Sequence, residues 1–249
     1  MNYNKILNKP LPKHIAMILD GNGRWAKAKG LPRKLGHRQG AINLKDIALL
    51  CDEIGIDVLT VYCFSTENWN RPKDEVDYLM SAPVEYYYKY REKILKKNIK
   101  ISFIGRRDRF PSEFLKCLLD VEENTKDKTG LHLVIAADYG SQYELIEATK
   151  NIAQRYKNNE ISLDDINSKL IEENLYTNNL PPLDLLIRTS GEIRISNFLL
   201  WQLSYSELYF TKKYWPDFDK EELFKALESY QERNRRFGGL KEEKKWKNV

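Results

Sequence analysis

Three short stretches hold most of the groups that could do chemistry. The first, Asp20-Gly21-Asn22-Gly23-Arg24-Trp25, follows the apolar run 15–19 without a break. Glycines let a backbone turn tightly and approach a ligand, and the N–H groups that open the next helix can hold an anion. Arg33, His37 and Arg38 follow downstream. This is no Walker loop, because no Gly-Lys-Ser/Thr follows. It matches the loose form G-x-G-x-x-A through Gly21, Gly23 and Ala26, a weak dinucleotide fingerprint that has no acidic partner at a following strand end. The second stretch is Ser65-Thr66-Glu67-Asn68-Trp69-Asn70-Arg71-Pro72, dense in hydrogen-bonding groups. A capped, solvated turn is the plain alternative for it, although a Trp and an Arg are less usual there. The third is Arg188-Thr189-Ser190-Gly191-Glu192-Ile193-Arg194-Ile195-Ser196, where two guanidinium forks flank a glycine bend. Such forks suit diphosphate oxygens.

The chemistry of the sum is more specific than that of any part. Arg24, Arg33, Arg71, Arg188 and Arg194 supply more cationic charge than one monophosphate needs, which suggests two diphosphates. Asp20 sits among them. Glu207 stands alone in an apolar run with Tyr205, Leu208, Tyr209 and Phe210, where an ionised acid needs a partner or a cation. A carboxylate beside a diphosphate is repelled unless a metal bridges them, and Mg²⁺ takes one or two carboxylates plus substrate phosphates. The residues therefore point to a Mg²⁺-assisted enzyme acting on diphosphates, with Asp20 and Glu207 as metal ligands.

These loops must be brought together by the elements that precede them. Strands are expected at 15–19, 58–64, 99–104, 131–137, 184–187 and 207–210, most of them continuously apolar as in strands buried on both faces. Helices are expected near 36–54, 74–97, 112–127, 141–156, 162–171 and 218–235, with Ser162 and Asp165 as a capping pair. The alternation implies an α/β fold, a central mostly parallel sheet flanked by helices, whose ligands bind beyond the carboxyl ends of the strands. In helix 74–97, Val76, Leu79, Met80, Val84, Tyr87 and Ile94 recur at helical spacing, with Tyr86, Tyr88 and Tyr90 nearby. That stripe reads as core-facing, or else as one wall of an apolar cavity. With 249 residues and no repeat or linker, one domain over 1–249 is the economical reading, with flexible ends at about 1–11 and 241–249.

Composition narrows the class. The net charge of +5 is mild and evenly spread, which fits an anionic small substrate or weak attraction to an anionic membrane and argues for no nucleic acid. The three cysteines are odd in number and lack metal spacing, so a disulfide framework or zinc site is not expected and a reducing cytoplasm is. No segment reads as a signal peptide or membrane span.

At this point the segments HIAMILDGNGRWAKAKGLPRKLGHRQG (14–40), TVYCFSTENWNRP (60–72) and RTSGEIRISNFLLWQLSYSELYFTKKYWPDF (188–218) resemble the cis-prenyltransferases, the isoprenyl transferases typified by bacterial undecaprenyl diphosphate synthase. The resemblance runs from about residue 12 to 239, and ERNRRFGG looks like the family's closing segment. It implies condensation of isopentenyl diphosphate in cis onto an allylic diphosphate, usually farnesyl diphosphate, with Mg²⁺. The product would be a polyprenyl diphosphate such as undecaprenyl diphosphate, the lipid carrier precursor for cell-wall polysaccharide. A diverged member making a short or irregular product is the alternative. The resemblance also implies an elongated apolar tunnel, a homodimer, and a cytoplasmic enzyme in transient contact with the membrane. Asp20 would be the essential acid and metal ligand. Gly21, Asn22, Gly23 and Arg24 would form the diphosphate turn, with Trp25, Arg33 and His37 beside it. Ser65, Thr66 and Glu67, then Asn68, Trp69 and Arg71, would line the substrate site. Arg188, Arg194, Ile195 and Ser196 would hold isopentenyl diphosphate, and Glu207 would be a second metal contact. Family descriptions give the departing proton to Asn68. A neutral amide is a poor base, so Asn68 is expected to orient groups instead.

Three departures stand out. Ile193 occupies a position where many bacterial members carry His. Asp138-Tyr139-Gly140-Ser141-Gln142 replaces a pattern usually written Asn-Tyr-Gly-Gly-Arg, and Glu144 stands where Asp is common. The DDxxD motif of the all-helical trans-prenyltransferases is absent. A non-catalytic partner subunit is disfavoured by the retention of Asp20 and the arginines.

Overall fold

A computed structural model describes residues 3–233. Six strands form one sheet: β1 (His14–Ile18), β2 (Val58–Ser65), β3 (Lys100–Ile104), β4 (His132–Tyr139), β5 (Leu185–Arg188) and β6 (Glu207–Phe210). Their order is β3-β4-β2-β1-β5-β6, and every pairing is parallel. β1 is buried at each position, which is why its sequence is continuously apolar rather than alternating. From β1 the chain lays β2 beside it, places β3 at the edge and inserts β4 between the two, then returns to lay β5 and β6 on the other side. The switch point lies between β1 and β5, where the loops after the two strands diverge and leave a crevice.

The helices are α1 (Tyr3–Leu7), α2 (Asn22–Ala28), α3 (Arg33–Glu53), α4 (Lys73–Leu95), α5 (Ser112–Thr125), α6 (Ser141–Lys157), α7 (Ser168–Glu173) and α8 (Lys220–Glu232). One face of the sheet packs Ile15, Met17, Leu59, Val61, Leu185 and Ile187 against Ile47 and Ala48 of α3 and Leu223 and Phe224 of α8. The other face packs Ala16, Ile18, Tyr62 and Leu186 against Leu183, Phe198 and Leu199. The expected helix 162–171 divides into a 3₁₀ turn at Leu163–Asp165 and α7, and the Ser162–Asp165 capping box is present. The leading residues do not fray from their start: Ile6 of α1 is buried in the main core and Tyr3 meets Phe224 edge-on at 4.5 Å. The expected charged tail 241–249, and most of ERNRRFGG, lie outside the described residues.

The stripe on α4 packs into the core at several of its positions. Val76 and Met80 join a cluster with Phe64, Phe114 and Leu118, and Tyr87 joins one with Cys117 and Val121. Ile94, Ile101, Phe103 and Ile135 are only partly buried beside these clusters. Cys63, on the central strand β2 between buried Tyr62 and Phe64, is accessible to solvent. Desolvation nevertheless pushes its thiol up to about 12.

Candidate active site

Asp20 leaves the end of β1 at the switch point. Its main-chain oxygen is held by Thr189 Oγ1 at 2.7 Å and by the Trp215 N–H at 2.9 Å, so the loops after β1, β5 and β6 are tied to one residue. Its carboxylate accepts from Arg188 Nη2 at 3.0 Å and pairs with Arg24 Nη2 at 3.1 Å. Partial burial by itself would raise the Asp20 pKa. The hydrogen bonds and charges of Arg188 and Arg24 outweigh that effect and hold the carboxyl below its ordinary range. Gly21 is required next. Its φ is +105°, and a Cβ there would lie 2.1 Å from Ser190 Oγ.

Arg188 is buried. Its Nη1 donates to the Arg194 carbonyl at 2.5 Å and to Ser196 Oγ at 2.7 Å, which folds the whole third stretch around one guanidinium. That loop is strained: Ser190, Ser196, Asn197 and Leu199 all have positive φ, a backbone cost of the kind stored at functional sites. Glu192 closes the outer side. It takes Arg24 Nη1 at 2.7 Å and Arg194 Nη1 at 2.5 Å, and the side chains of both arginines are largely exposed. The hydrogen bond from Arg194, then that from Arg24, holds the Glu192 carboxyl below its ordinary range. Ile195 packs at the edge of the second core cluster, while Ile193 is 78% exposed.

A second group of cations forms where α3 begins. Arg33 Nε, His37 Nε2 and Arg71 Nη1 lie 3.1, 3.3 and 2.9 Å from the single carboxylate of Glu75 in the first turn of α4. Desolvation would raise the Glu75 pKa, but the charges of Arg71, Arg33 and His37 prevail and lower it. His37 is lowered, chiefly by burial. Glu75 was not singled out by sequence, because an acid in a first helical turn is commonplace.

The turn after β2 is a short 3₁₀ helix, Thr66–Asn70. Asn68 Oδ1 accepts the Ser65 N–H at 3.2 Å and closes a capping box. Glu67 takes Asn197 Nδ2 at 2.9 Å, so the second and third stretches do meet. Trp69 donates to Asp138 Oδ1 at 2.9 Å. Ser141 and Gln142, which break the family pattern, serve this junction too: their N–H groups bond Asn197, at 2.8 and 2.9 Å.

Two expected residues sit elsewhere. Trp25 turns its indole N–H to Asp217 Oδ1 at 2.7 Å and stacks under Lys29, which makes it an anchor of α2 within the chain. Glu207 is not brought to Asp20. It opens β6 in register with Leu185, at the N-terminal ends of the strands, and pairs with Arg233 Nη1 at 2.8 Å. Within one chain the two expected metal acids therefore stand apart. The acid precedes its strand instead of following it, so the sheet separates it from Asp20 within one chain.

No group of three or more His, Cys, Asp or Glu that could hold a metal exists among the described residues. Buried polar atoms around Asp20 lack partners, namely Asn22 Oδ1, Arg188 Nε and Ser190 Oγ. One ionised carboxylate, with Arg188 Nε and Ser190 Oγ left to donate to phosphate oxygens, suits a Mg²⁺ whose remaining ligands are phosphate oxygens and water, and does not suit a protein-enclosed metal.

Comparison with known proteins follows the same outline. The prenyltransferase family model described as undecaprenyl diphosphate synthase matches residues 18–238. The chain is 50% identical over 237 residues to the ditrans,polycis-undecaprenyl-diphosphate synthase, (2E,6E)-farnesyl-diphosphate specific, of Micrococcus luteus, with 95% of each chain covered. It is 48% identical to dehydrodolichyl diphosphate synthase 2 of Arabidopsis thaliana, covering 93% of this chain and 75% of that one. A crystal structure of lavandulyl diphosphate synthase from Lavandula x intermedia in complex with dimethylallyl diphosphate superposes with a TM-score of 0.88 at 37% identity, covering 92% and 98%.

Proposed function

This chain belongs to the undecaprenyl diphosphate synthase family of cis-prenyltransferases, and on that premise we propose that it condenses isopentenyl diphosphate units in cis onto an allylic diphosphate, farnesyl diphosphate first, to make undecaprenyl diphosphate. The observation that carries this reading is the meeting of Asp20 with Arg24 and Arg188 at the switch point.

In the reaction the allylic C–O bond breaks and diphosphate leaves with the electron pair. The isopentenyl double bond attacks the cationic carbon, and a proton leaves the new unit. Arg24, Arg33 and Arg71 stand where a departing diphosphate builds charge, and fixed cations stabilise it without reorganisation. Arg188, Arg194 and Ser196 suit the second diphosphate. Mg²⁺, held by Asp20 and substrate oxygens, would act as the Lewis acid for the leaving group. Asn68 spends its amide oxygen on the Ser65 N–H, which supports an orienting role. A growing prenyl chain would need an apolar path, and the partly buried Ile101 and Phe103 beside the α4–α5 cluster are candidates for lining it.

Dimerisation, a cytoplasmic location and contact with a membrane at product release belong to the same reading. No helix among the described residues is long and apolar enough to cross a membrane. An irregular or short product is the second reading, favoured by the likeness to the lavandulyl enzyme and by the departures at Asp138, Ser141, Gln142 and Ile193. The test is to supply labelled isopentenyl diphosphate with farnesyl or dimethylallyl diphosphate and resolve products by length. Long products from the farnesyl primer support the proposal. Only short products support the second reading, and no incorporation with either primer overturns both.

A further inference from the structure

Asp138 ends β4 with φ near +50°, a conformation that Asp and Asn tolerate better than most residues. It is 0% exposed, and its carboxylate is shared. Oδ1 accepts the indole N–H of Trp69 at 2.9 Å, Oδ2 accepts Arg109 Nε at 2.8 Å, and Arg109 Nη2 closes a second bond to Oδ1. The Arg109 guanidinium also stands 5.4 Å from the Trp69 ring centroid, and the far side of that ring meets Phe64 edge-on at 5.1 Å. The main-chain oxygen of Asp138 takes the Arg106 N–H at 3.0 Å. Strand β4, the loop before α5 and the 3₁₀ turn Thr66–Asn70 are thus pinned at one residue.

We infer that Asp138, with Arg109 as its counter-ion, is a positioning residue that fixes the Thr66–Asn70 turn through Trp69, and so places Glu67 and Asn68 for the transfer reaction. The argument is one of donors and acceptors. Three N–H groups converge on one carboxylate, and an ionised carboxylate is acceptor-only. An amide in the same place could still accept from Trp69, but its NH₂ would confront the guanidinium, which has no acceptor. The turn is also held by the Ser65–Tyr139 pairing before it, by the Ser65–Asn68 capping box and by the Glu67–Asn197 bond, but Trp69 to Asp138 is the side-chain bond that ties its far end directly to β4. Small misplacements of groups near a reacting centre cost large factors in rate.

This inference rests on the prenyl-transfer reading for its kinetic arm only. Asp138→Asn restores the residue of the usual family pattern beside an Arg109 that in this chain is fitted to both oxygens of a carboxylate; it and Arg109→Gln are each expected to lower kcat about tenfold, with both substrate KM values within about twofold and unchanged far-ultraviolet circular dichroism. The double variant, in which two amides can pair, recovers most of the loss. Trp69→Phe identifies the Trp69 indole among the five tryptophan N–H signals of a ¹⁵N spectrum. That proton exchanges slowly in the wild-type chain and faster in Asp138→Asn. An unchanged kcat, a loss confined to KM, a loss of thermal midpoint with full kcat, or a double variant no better than the worse single overturns the assignment. So does a wild-type indole that exchanges at the solvent rate. If the wild-type chain incorporates no isopentenyl diphosphate, the functional reading falls and the exchange measurement alone decides the positioning role.

Discussion

Glu75 and Glu192 each hold several substrate-facing cations with one carboxylate, yet their surroundings differ. Glu75 is 11% exposed and joins α3, α4 and the loop after β2 through Arg33, His37 and Arg71. Glu192 is 28% exposed and bridges two solvent-facing arginines within the site mouth. A partly buried carboxylate between two arginines and an imidazole is structural, because its loss leaves the guanidinium charges of Arg33 and Arg71 without their shared counter-ion. On the proposed function, the carboxylate of Glu192 would stand in for substrate oxygens, since water screens the pair and either arginine can rotate away. One site thus contains a fixed set of cations and an exchangeable set.

Breaking the fixed set has the larger effect. Glu75→Gln is expected to cost about 2 kcal/mol of stability, as for a lost charged hydrogen-bond partner, seen as a lower urea midpoint together with a raised KM for the allylic substrate. Acid acts on the same set. His37 has a lowered folded pKa, so the folded state binds fewer protons than the unfolded state below 6.5, and stability falls as pH drops through that value. Glu75 is also lowered, so its share is present above 4.5 and is lost as pH falls further, through its folded value. Urea titrations from pH 7 to pH 4 should show the upper step reduced in His37→Asn and not abolished, because burial also lowers His14 and His132.

Breaking the exchangeable set should leave the fold alone. Glu192→Gln is expected to keep the wild-type urea midpoint while lowering the KM for isopentenyl diphosphate about threefold, because a competing anion is removed from screened cations. A raised KM would show that Glu192 organises Arg24 and Arg194 instead of standing in for substrate. Smaller still is Asn68→Asp. Either side chain caps the Ser65 N–H, so turnover remains measurable. A loss as complete as that of Asp20→Ala would return Asn68 to the chemistry itself.

The parts legible in sequence share a physical cause. Strands buried on both faces announce themselves as apolar runs, and the open-sheet rule then directs attention to the residues after them, which found Asp20, Arg188 and the 65–71 turn. The same rule does not bring Glu207 to Asp20 within one chain. Glu207 stands at the start of a four-residue strand, where composition suggested an acid in need of a cation but register alone tells which end of the sheet it occupies. Trp25 was adjacent to the turn in sequence, but its ring is claimed by Asp217, 192 positions away. Glu75 and Arg109 were missed because each acts through partners from other elements, a relation no local pattern encodes.

The account turns on Asp20 as the anionic centre at which both diphosphate sites meet. A single-turnover assay with excess enzyme, farnesyl diphosphate and labelled isopentenyl diphosphate reads that directly, comparing wild type with Asp20→Asn. The isosteric amide keeps the packing and removes the charge. The account predicts a loss of about a thousandfold in the transfer rate, the upper range for one preorganised electrostatic group, with the fold retained by circular dichroism. Transfer by Asp20→Asn within a factor of a few of wild type would contradict it.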